Sequence, residues 1–339
     1  MTHSLTETFP RVRIAHVPTP LERLHRLEGV LESPVPIFIK RDDCTGLATG
    51  GNKIRQLEFY FGEAREKGVT HVFITGAVQS NFVRSATAFA AKLGMKCTVQ
   101  LEDRVADKDD LYHHGGNVLL DRMFGAEVVR FHVGEDEEGA DKNLEAMAEE
   151  ARSKGEVPYV IHLSESPRPL GALGYICAAE ELLKDFDMRP FDLAHVILPS
   201  GSASTHAGML TGLCAYGRSD ISVLGVCVRR AASLQGPRVR RVCQALETMM
   251  GIEPVVEDGL VQVTDVTFEG GYGLMGDSTR EAMEMGARLE GLVLDPVYTA
   301  KGFAALIDFV RNGEPRGPIV FVHTGGLPAV FAYGQSILR

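Results

Sequence analysis

The chain has 339 residues, of which 45% are apolar and 24% charged, and a formal net charge of −10. A chain of this length predicts two domains rather than one core, and it contains no apolar run long enough to cross a bilayer. Lys and Arg are scattered among the acids, which leaves no electrostatic footprint for nucleic acid or an anionic membrane. The opening "MTHSLTETFPRVRIAHVPTP" has neither a signal-peptide nor a transit-peptide pattern. The expectation is a cytoplasmic protein that works on a small molecule.

In chain order, the polar, glycine-marked turn "RDDCTGLATGGN" at residues 41 to 52 runs straight into an amphipathic helix with Lys53 in its first turn. Short β-branched runs follow at "HVFIT" (71 to 75), "CTVQL" (97 to 101), "EVVRF" (127 to 131), "YVIHL" (159 to 163), "HVILP" (195 to 199), "VLGVCV" (223 to 228) and "IVFVH" (319 to 323). Helix-period patterns lie between them, at 81 to 94, 141 to 155, 170 to 186, 277 to 291 and 299 to 313, several closing on glycine. Near-continuous apolar strands alternating with helices predict mainly parallel sheets covered on both faces, the α/β class. Six cysteines lie far apart with no C-x-x-C. That spacing argues against a zinc site or a secreted disulfide framework, and most of the six are expected to be small buried hydrophobes.

In such sheets the ligand sits beyond the carboxyl ends of the strands, and three junctions there stand out. "SGSASTHAG" at 200 to 208 puts small residues and hydroxyls before a helix starting near Ser204, which suits a phosphate on backbone N–H groups. It has neither the Walker lysine nor G-x-G-x-x-G spacing, and alone it also reads as an ordinary capped turn. "GAVQSN" at 76 to 81 offers Ser80 and Asn81 at a helix start, fit for a carboxylate or for a plain N-cap. "HTGGLP" at 323 to 328 adds Thr324, "DPVYTAKGF" at 295 to 303 adds Tyr298 and Thr299, and Tyr272 sits in the glycine-rich "EGGYGLMG". Lys53 is badly placed relative to the positive end of its helix dipole. A lysine beside positive partial charge has a lowered pKa, which an amine needs to condense with an aldehyde.

A lysine, a phosphate cradle, a carboxylate-binding turn and a hydroxyl near a strand end are the parts pyridoxal 5′-phosphate needs. The motifs "KRDDCTGLATGGNKIRQLEF", "GAVQSN", "GGNVLLDRMFGAEV", "LGALGY", "GSASTHAG", "DPVYTAKG" and "HTGG" occur in order from about residue 10 to 338. Together they resemble the pyridoxal-phosphate-dependent family of D-cysteine desulfhydrase, L-cysteate sulfo-lyase and 1-aminocyclopropane-1-carboxylate deaminase. The resemblance implies the tryptophan-synthase β-type fold, fold type II, as two α/β domains with mainly parallel twisted sheets. The larger, cofactor-binding domain is expected from 1–53 with 166–339, the smaller from 54–165, and the assembly is expected to be a homodimer.

The same resemblance implies roles. Lys53 matches the Schiff-base lysine that then handles the Cα proton. Asn81 matches the residue bonded to the cofactor 3′-oxygen, and Ser80 the serine facing the substrate. Ser202, Ala203, Ser204 and Thr205 match the phosphate loop, Tyr272 and Tyr298 the active-site tyrosines, and Thr324 the neighbour of the pyridine nitrogen. Gln79, Phe82 and Thr299 are expected beside the substrate. The deaminase branch has Glu and Leu at the positions of Thr299 and Thr324, as this chain does not. A neutral threonine beside the ring nitrogen makes a weaker electron sink than a carboxylate, enough to expel a leaving group from Cβ. The implied activity is therefore β-elimination from a small amino acid of the D-cysteine, L-cysteate or β-chloroalanine type to pyruvate, ammonia and the leaving group, with 1-aminocyclopropane-1-carboxylate deamination or isomerisation as the alternative.

The chain departs from the family pattern at Phe82, where His or Gln is usual, at Gln56, where Lys is frequent, and at "SESPRP" (164 to 169), which replaces a glycine-rich segment. These bear on phosphate anchoring and on the choice of leaving group. Arg168 and the pair His113 and His114 read as solvated loop residues, with a sulfonate contact as the alternative. A dinucleotide-binding oxidoreductase is disfavoured because the "TGAVQSN" turn lacks the glycine fingerprint. A non-catalytic binder is disfavoured because Lys53, Ser80, Asn81 and both tyrosines are present.

Overall fold

A computed structural model describes residues 4–106, 108–134 and 136–337. The strands are Leu21–Arg23 (β1), Ile37–Lys40 (β2), His71–Ala77 (β3), Lys96–Glu102 (β4), Glu127–Phe131 (β5), Pro158–Ile161 (β6), His195–Ser200 (β7), Ser222–Cys227 (β8), Gln262–Thr264 (β9) and Ile319–Val322 (β10). They form a six-stranded sheet in the order β1-β2-β10-β7-β8-β9 and a four-stranded sheet in the order β5-β4-β3-β6. Only β1 runs antiparallel to its neighbour.

Alternation along the central strands explains the continuous apolar runs. Phe38, Val196, Leu198, Val320 and Val322 enter one core layer, while Ile37, Ile39, Ile197, Ile319 and Phe321 enter another. Side chains two apart share a face, so both faces of the six-stranded sheet are covered. The expected α/β class is the observed one.

The run read as a strand at 159 to 163 ends at Ile161. The carboxylate of Asp141 accepts from Leu163 N and Ser164 N, each at 3.2 Å, and pulls the chain out of the ladder. The strands β1, β2 and β9 are not among the runs read from sequence, being only three or four residues long. The helix expected from 141 begins at Glu137, where Asp136 accepts from Gly139 N and caps it.

The four-stranded sheet is drawn from residues between 71 and 161, and the six-stranded sheet from segments on either side. The helix Asn52–Glu66 runs unbroken between them. Its Ile54, Leu57 and Phe61 pack with Val72, Ile74 and Val99 of β3 and β4, while Phe59 packs with Leu170, Leu173 and Ile176. Arg55, 1% exposed, bonds both oxygens of Asp42 and reaches Glu181 at 2.9 Å. Lys53 is thus mounted on an element gripped from both sides. Among the described residues, no helix is long and apolar enough to cross a membrane.

Candidate active site

One cleft at the carboxyl ends of β3, β7, β8 and β10 is lined by Lys53, Ser80, Asn81, Phe82, Ser202, Ala203, Ser204, Thr205, Tyr272, Tyr298 and Thr324. Residues 53 to 324 in sequence are brought to one place. The turn before Lys53 is held in left-handed backbone, with φ of 70° at Gly50 and 113° at Gly51. A Cβ on Gly50 would press into the carbonyl of Asp43. Asn52 N donates to the carbonyl of Thr324 at 3.0 Å, so the helix start is pinned to the loop after β10.

Lys53 Nζ donates to Gln56 Oε1 at 3.2 Å and lies 5.3 Å from the centre of the Phe82 ring. Burial lowers its pKa to about 8. The cause is desolvation, whereas the sequence pointed to the helix dipole. A low-dielectric site disfavours the ammonium whatever the sign of the nearby partial charges.

The phosphate-type cradle follows β7. Ala203 takes a φ of 78°, rare for a residue with a Cβ, and the helix Ser204–Ala215 begins with no side-chain cap. Its first-turn N–H groups are therefore left for a ligand. Asn52 Nδ2 and Gln56 Nε2 both donate to Thr205 Oγ at 2.8 Å. With its lone pairs engaged, the Thr205 hydroxyl has its proton to give, and a phosphate oxygen is the matching acceptor. Gln56 thus supports the cradle through Thr205 rather than by charge. Outside the loop, Arg230 donates to the Gly201 carbonyl at 3.1 Å. These donors suit the phosphate ester of pyridoxal 5′-phosphate, and Lys53 suits its aldehyde.

Ser80 caps the helix Asn81–Leu93 by accepting from Val83 N at 3.2 Å. Asn117 Nδ2 donates to Asn81 Oδ1 at 3.1 Å, which leaves the Asn81 amide N–H groups to donate into the cleft. The hydroxyls of Tyr272 and Tyr298 are 2.8 Å apart. Burial pushes the pKa of both upward, so each is held as a neutral phenol.

Two expected substrate contacts lie elsewhere. Gln79 is buried behind the cleft, where its Nε2 donates to the carbonyls of Tyr112 and Gly115 and its Oε1 accepts from Asn117 N. It buttresses the turn that holds Asn81. The Thr299 hydroxyl is fully buried and donates to Asp295 Oδ1 at 2.8 Å, fixing the turn that presents Tyr298. Arg168 pairs with Glu63 at 2.8 Å.

Sequence reasoning missed Asn52, Tyr60, Arg104, Arg229 and Arg238, which also line the cleft. Asn52 stands four residues before Gln56, so the two share a helix face, a signal available beside Lys53. Arg104 and Arg229 each follow a strand end by two residues, the place where ligand contacts concentrate. Arg104 pairs with Glu102 at 2.6 Å, and Glu137 takes Arg229 at 2.5 Å and Arg230 at 2.7 Å.

Comparison with known proteins gives the family. The chain is 39% identical over 337 residues to D-cysteine desulfhydrase of Salmonella schwarzengrund (strain CVM19633) and to that of Salmonella typhi, covering 99% of each chain. A crystal structure of an ACC deaminase homologue, 32% identical, superposes with a TM-score of 0.88 over 100% of this chain and 99% of that one. O-ureido-L-serine synthase, 17% identical, shares the fold with a TM-score of 0.66 over 98% of this chain and 96% of that one. The model of the family described as pyridoxal-phosphate dependent enzyme matches residues 12–325. With a desolvated lysine and a phosphate cradle in one cleft, the chain belongs to the pyridoxal-phosphate-dependent enzymes.

Proposed function

We propose that this enzyme is a carbon–sulfur lyase that eliminates the Cβ substituent of a small amino acid of the D-cysteine type, releasing it as sulfide and giving pyruvate and ammonia once water hydrolyses the remaining enamine. Full-length similarity to D-cysteine desulfhydrases carries the reading. The cofactor, when bound, supplies the electron sink for a carbanion at Cα. Lys53 would hold the cofactor through its aldehyde, and the lysine amine, its charged form disfavoured by burial, would serve as the base for the Cα proton. Ser80, at the helix start opposite, faces the substrate carboxylate with the first-turn N–H groups behind it. Asn81, whose Oδ1 is taken by Asn117, would donate from Nδ2 to the cofactor's 3′-oxygen, and the Ser202–Thr205 turn would hold the phosphate. Tyr272 and Tyr298 share one hydrogen bond and position a phenol to donate a proton to the departing group. Thr324 on the cleft wall would offer a neutral hydroxyl to the ring nitrogen.

Deamination of 1-aminocyclopropane-1-carboxylate is the second reading, favoured by the likeness to an ACC deaminase homologue. Incubation with D-cysteine, L-cysteate, β-chloro-D-alanine and the cyclopropane amino acid, each assayed for keto acid and leaving group, separates the two. Sulfide with pyruvate from D-cysteine is the expected result. Keto acid from the cyclopropane substrate alone would replace the lyase with the deaminase. We also propose the domain division at 53/54 and 165/166, a homodimer and a cytoplasmic location; light scattering on the purified protein tests the homodimer.

Thr205→Val keeps shape but removes the hydroxyl that takes two amide donors. Cofactor affinity is expected to fall about 10- to 100-fold, the cost of a hydrogen bond to a charged group plus two stranded donors. Titration of cofactor-free protein, followed by visible absorption, checks it; an unchanged affinity would move the phosphate away from Thr205.

A further inference from the structure

We propose that Arg84 is a positioning residue that fixes the Lys53 turn against the Ser80–Asn81 edge of the cleft. The inference rests on the assignment of Lys53 given above. Arg84 lies on the helix Asn81–Leu93, is fully buried and lines no part of the cleft. Among the described residues it makes no ion pair. Its guanidinium instead gathers the turn before the lysine: Nη1 donates to the Ala48 carbonyl and to Thr49 Oγ, and Nη2 donates to the Gly50 carbonyl at 3.1 Å.

That turn is strained. Ala48, Thr49, Gly50 and Gly51 have φ of 48°, 69°, 70° and 113° in succession, and the first two carry a Cβ. Such conformations persist only where the surroundings over-determine them. The carbonyls of Ala48 and Gly50 both come to the Arg84 side, and a planar cation with several donors can satisfy them together. Burial lowers the Arg84 pKa to about 10, still far enough above neutrality for the guanidinium to stay charged.

Asp121, also fully buried, acts on Arg84 by charge but spends its hydrogen bond on Thr87 at 3.1 Å. Arg84 is therefore held for the turn and not for a carboxylate. It sits three residues from Asn81 and grips backbone three residues before Lys53. Beside the apolar packing of Phe61 on Phe89, Arg84 thus ties the turn before Lys53 to the helix start that presents Ser80 and Asn81, while the opposite flank of the turn rests on Thr324 and Gly325.

The test uses cofactor-loaded Arg84→Met and Arg84→Lys proteins, with visible circular dichroism of the bound cofactor, kcat and KM measured on the folded fraction. Misplacing the lysine by about 1 Å is expected to lower kcat about 100-fold with KM within about threefold, and to change the visible dichroism. Arg84→Lys is expected to recover about tenfold of that loss, since an ammonium supplies the charge without the fork. A folded Arg84→Met protein with wild-type kcat and dichroism overturns the proposal. Should that variant not fold, Thr49→Val removes one of the contacts alone. A several-fold fall in its kcat supports the proposal, and an unchanged kcat overturns it. Lys53→Ala separates the two assignments. If it keeps the visible band of lysine-bound cofactor, the Lys53 assignment fails. If it loses the band while Arg84→Met behaves as wild type, only the role of Arg84 fails.

Discussion

Lys53→Ala is expected to fold, to lose the visible band of lysine-bound cofactor and to turn over at least about 10³-fold more slowly, because in the proposed function one amine serves as both the covalent anchor and the base. Folding should survive, since the side chain is partly exposed to the cleft and its hydrogen bond is to a glutamine rather than to a buried acid. The pH dependence follows from the same burial. With a pKa of about 8, roughly a tenth of the amine is neutral at pH 7, against a few parts in ten thousand for an ordinary lysine. The shift is downward, so the reactive fraction grows as pH rises toward 8 and then levels off. Condensation of cofactor with cofactor-free enzyme should quicken about tenfold per unit below pH 8 and flatten above it. A rate still climbing at pH 10 would mean that Lys53 is solvated, and a retained band in Lys53→Ala would give the aldehyde another partner.

What could be read from sequence divides along physical lines. Strand periodicity and the glycine-marked turns located β3, β4, β5, β7, β8 and β10, because buried parallel strands carry their signal in their own residues. The short strands β1, β2 and β9 carry too little pattern, and their place is set by neighbours. The cleft was legible where the turn after a strand carries small residues and hydroxyls, as with Ser80, Asn81 and the Ser202–Thr205 loop, and was missed where such a turn carries Arg104 or Arg229. Gln79 and Thr299 show the limit. Each stands within one residue of a cleft residue, yet its side chain points to the opposite side and is consumed by local hydrogen bonds. Adjacency in sequence does not fix direction at a helix start. The cause of the Lys53 shift was also out of reach, since dipole and desolvation act in the same direction and only burial decides between them. Arg84 was invisible for a related reason: within a helix-period run it looks like a solvent-facing charge.

Arg55→Met is expected to cost about 3 to 5 kcal/mol of stability, the price of leaving a buried carboxylate uncompensated. Against a total of about 5 to 15 kcal/mol for a typical domain, that is enough to unfold a large fraction near physiological temperature. Arg55 and Asp42 are each 1% exposed, so solvent cannot screen the loss. Asp42 would keep Tyr175 at 2.6 Å and Thr19 at 2.9 Å but lose its only paired cation among the described residues. Glu181 would be left with Lys40 at 2.7 Å. The Glu181 carboxyl is held down at about 2, against the desolvation that burial imposes, chiefly by its hydrogen bond to Arg55. For a depressed acid the stability is present above the ordinary carboxylate range and disappears as pH falls toward 2. The wild-type enzyme should therefore lose stability between about pH 4.5 and 2, and Arg55→Met should lose less over that window from a lower starting value. Denaturant unfolding at pH 7 and pH 3 measures both differences. The double variant Arg55→Met with Asp42→Asn should be more stable than Arg55→Met alone, because it removes the stranded charge. A double variant no better than the single one would place the cost in lost packing, and the helix that carries Lys53 would then be held by its apolar face rather than by its charges.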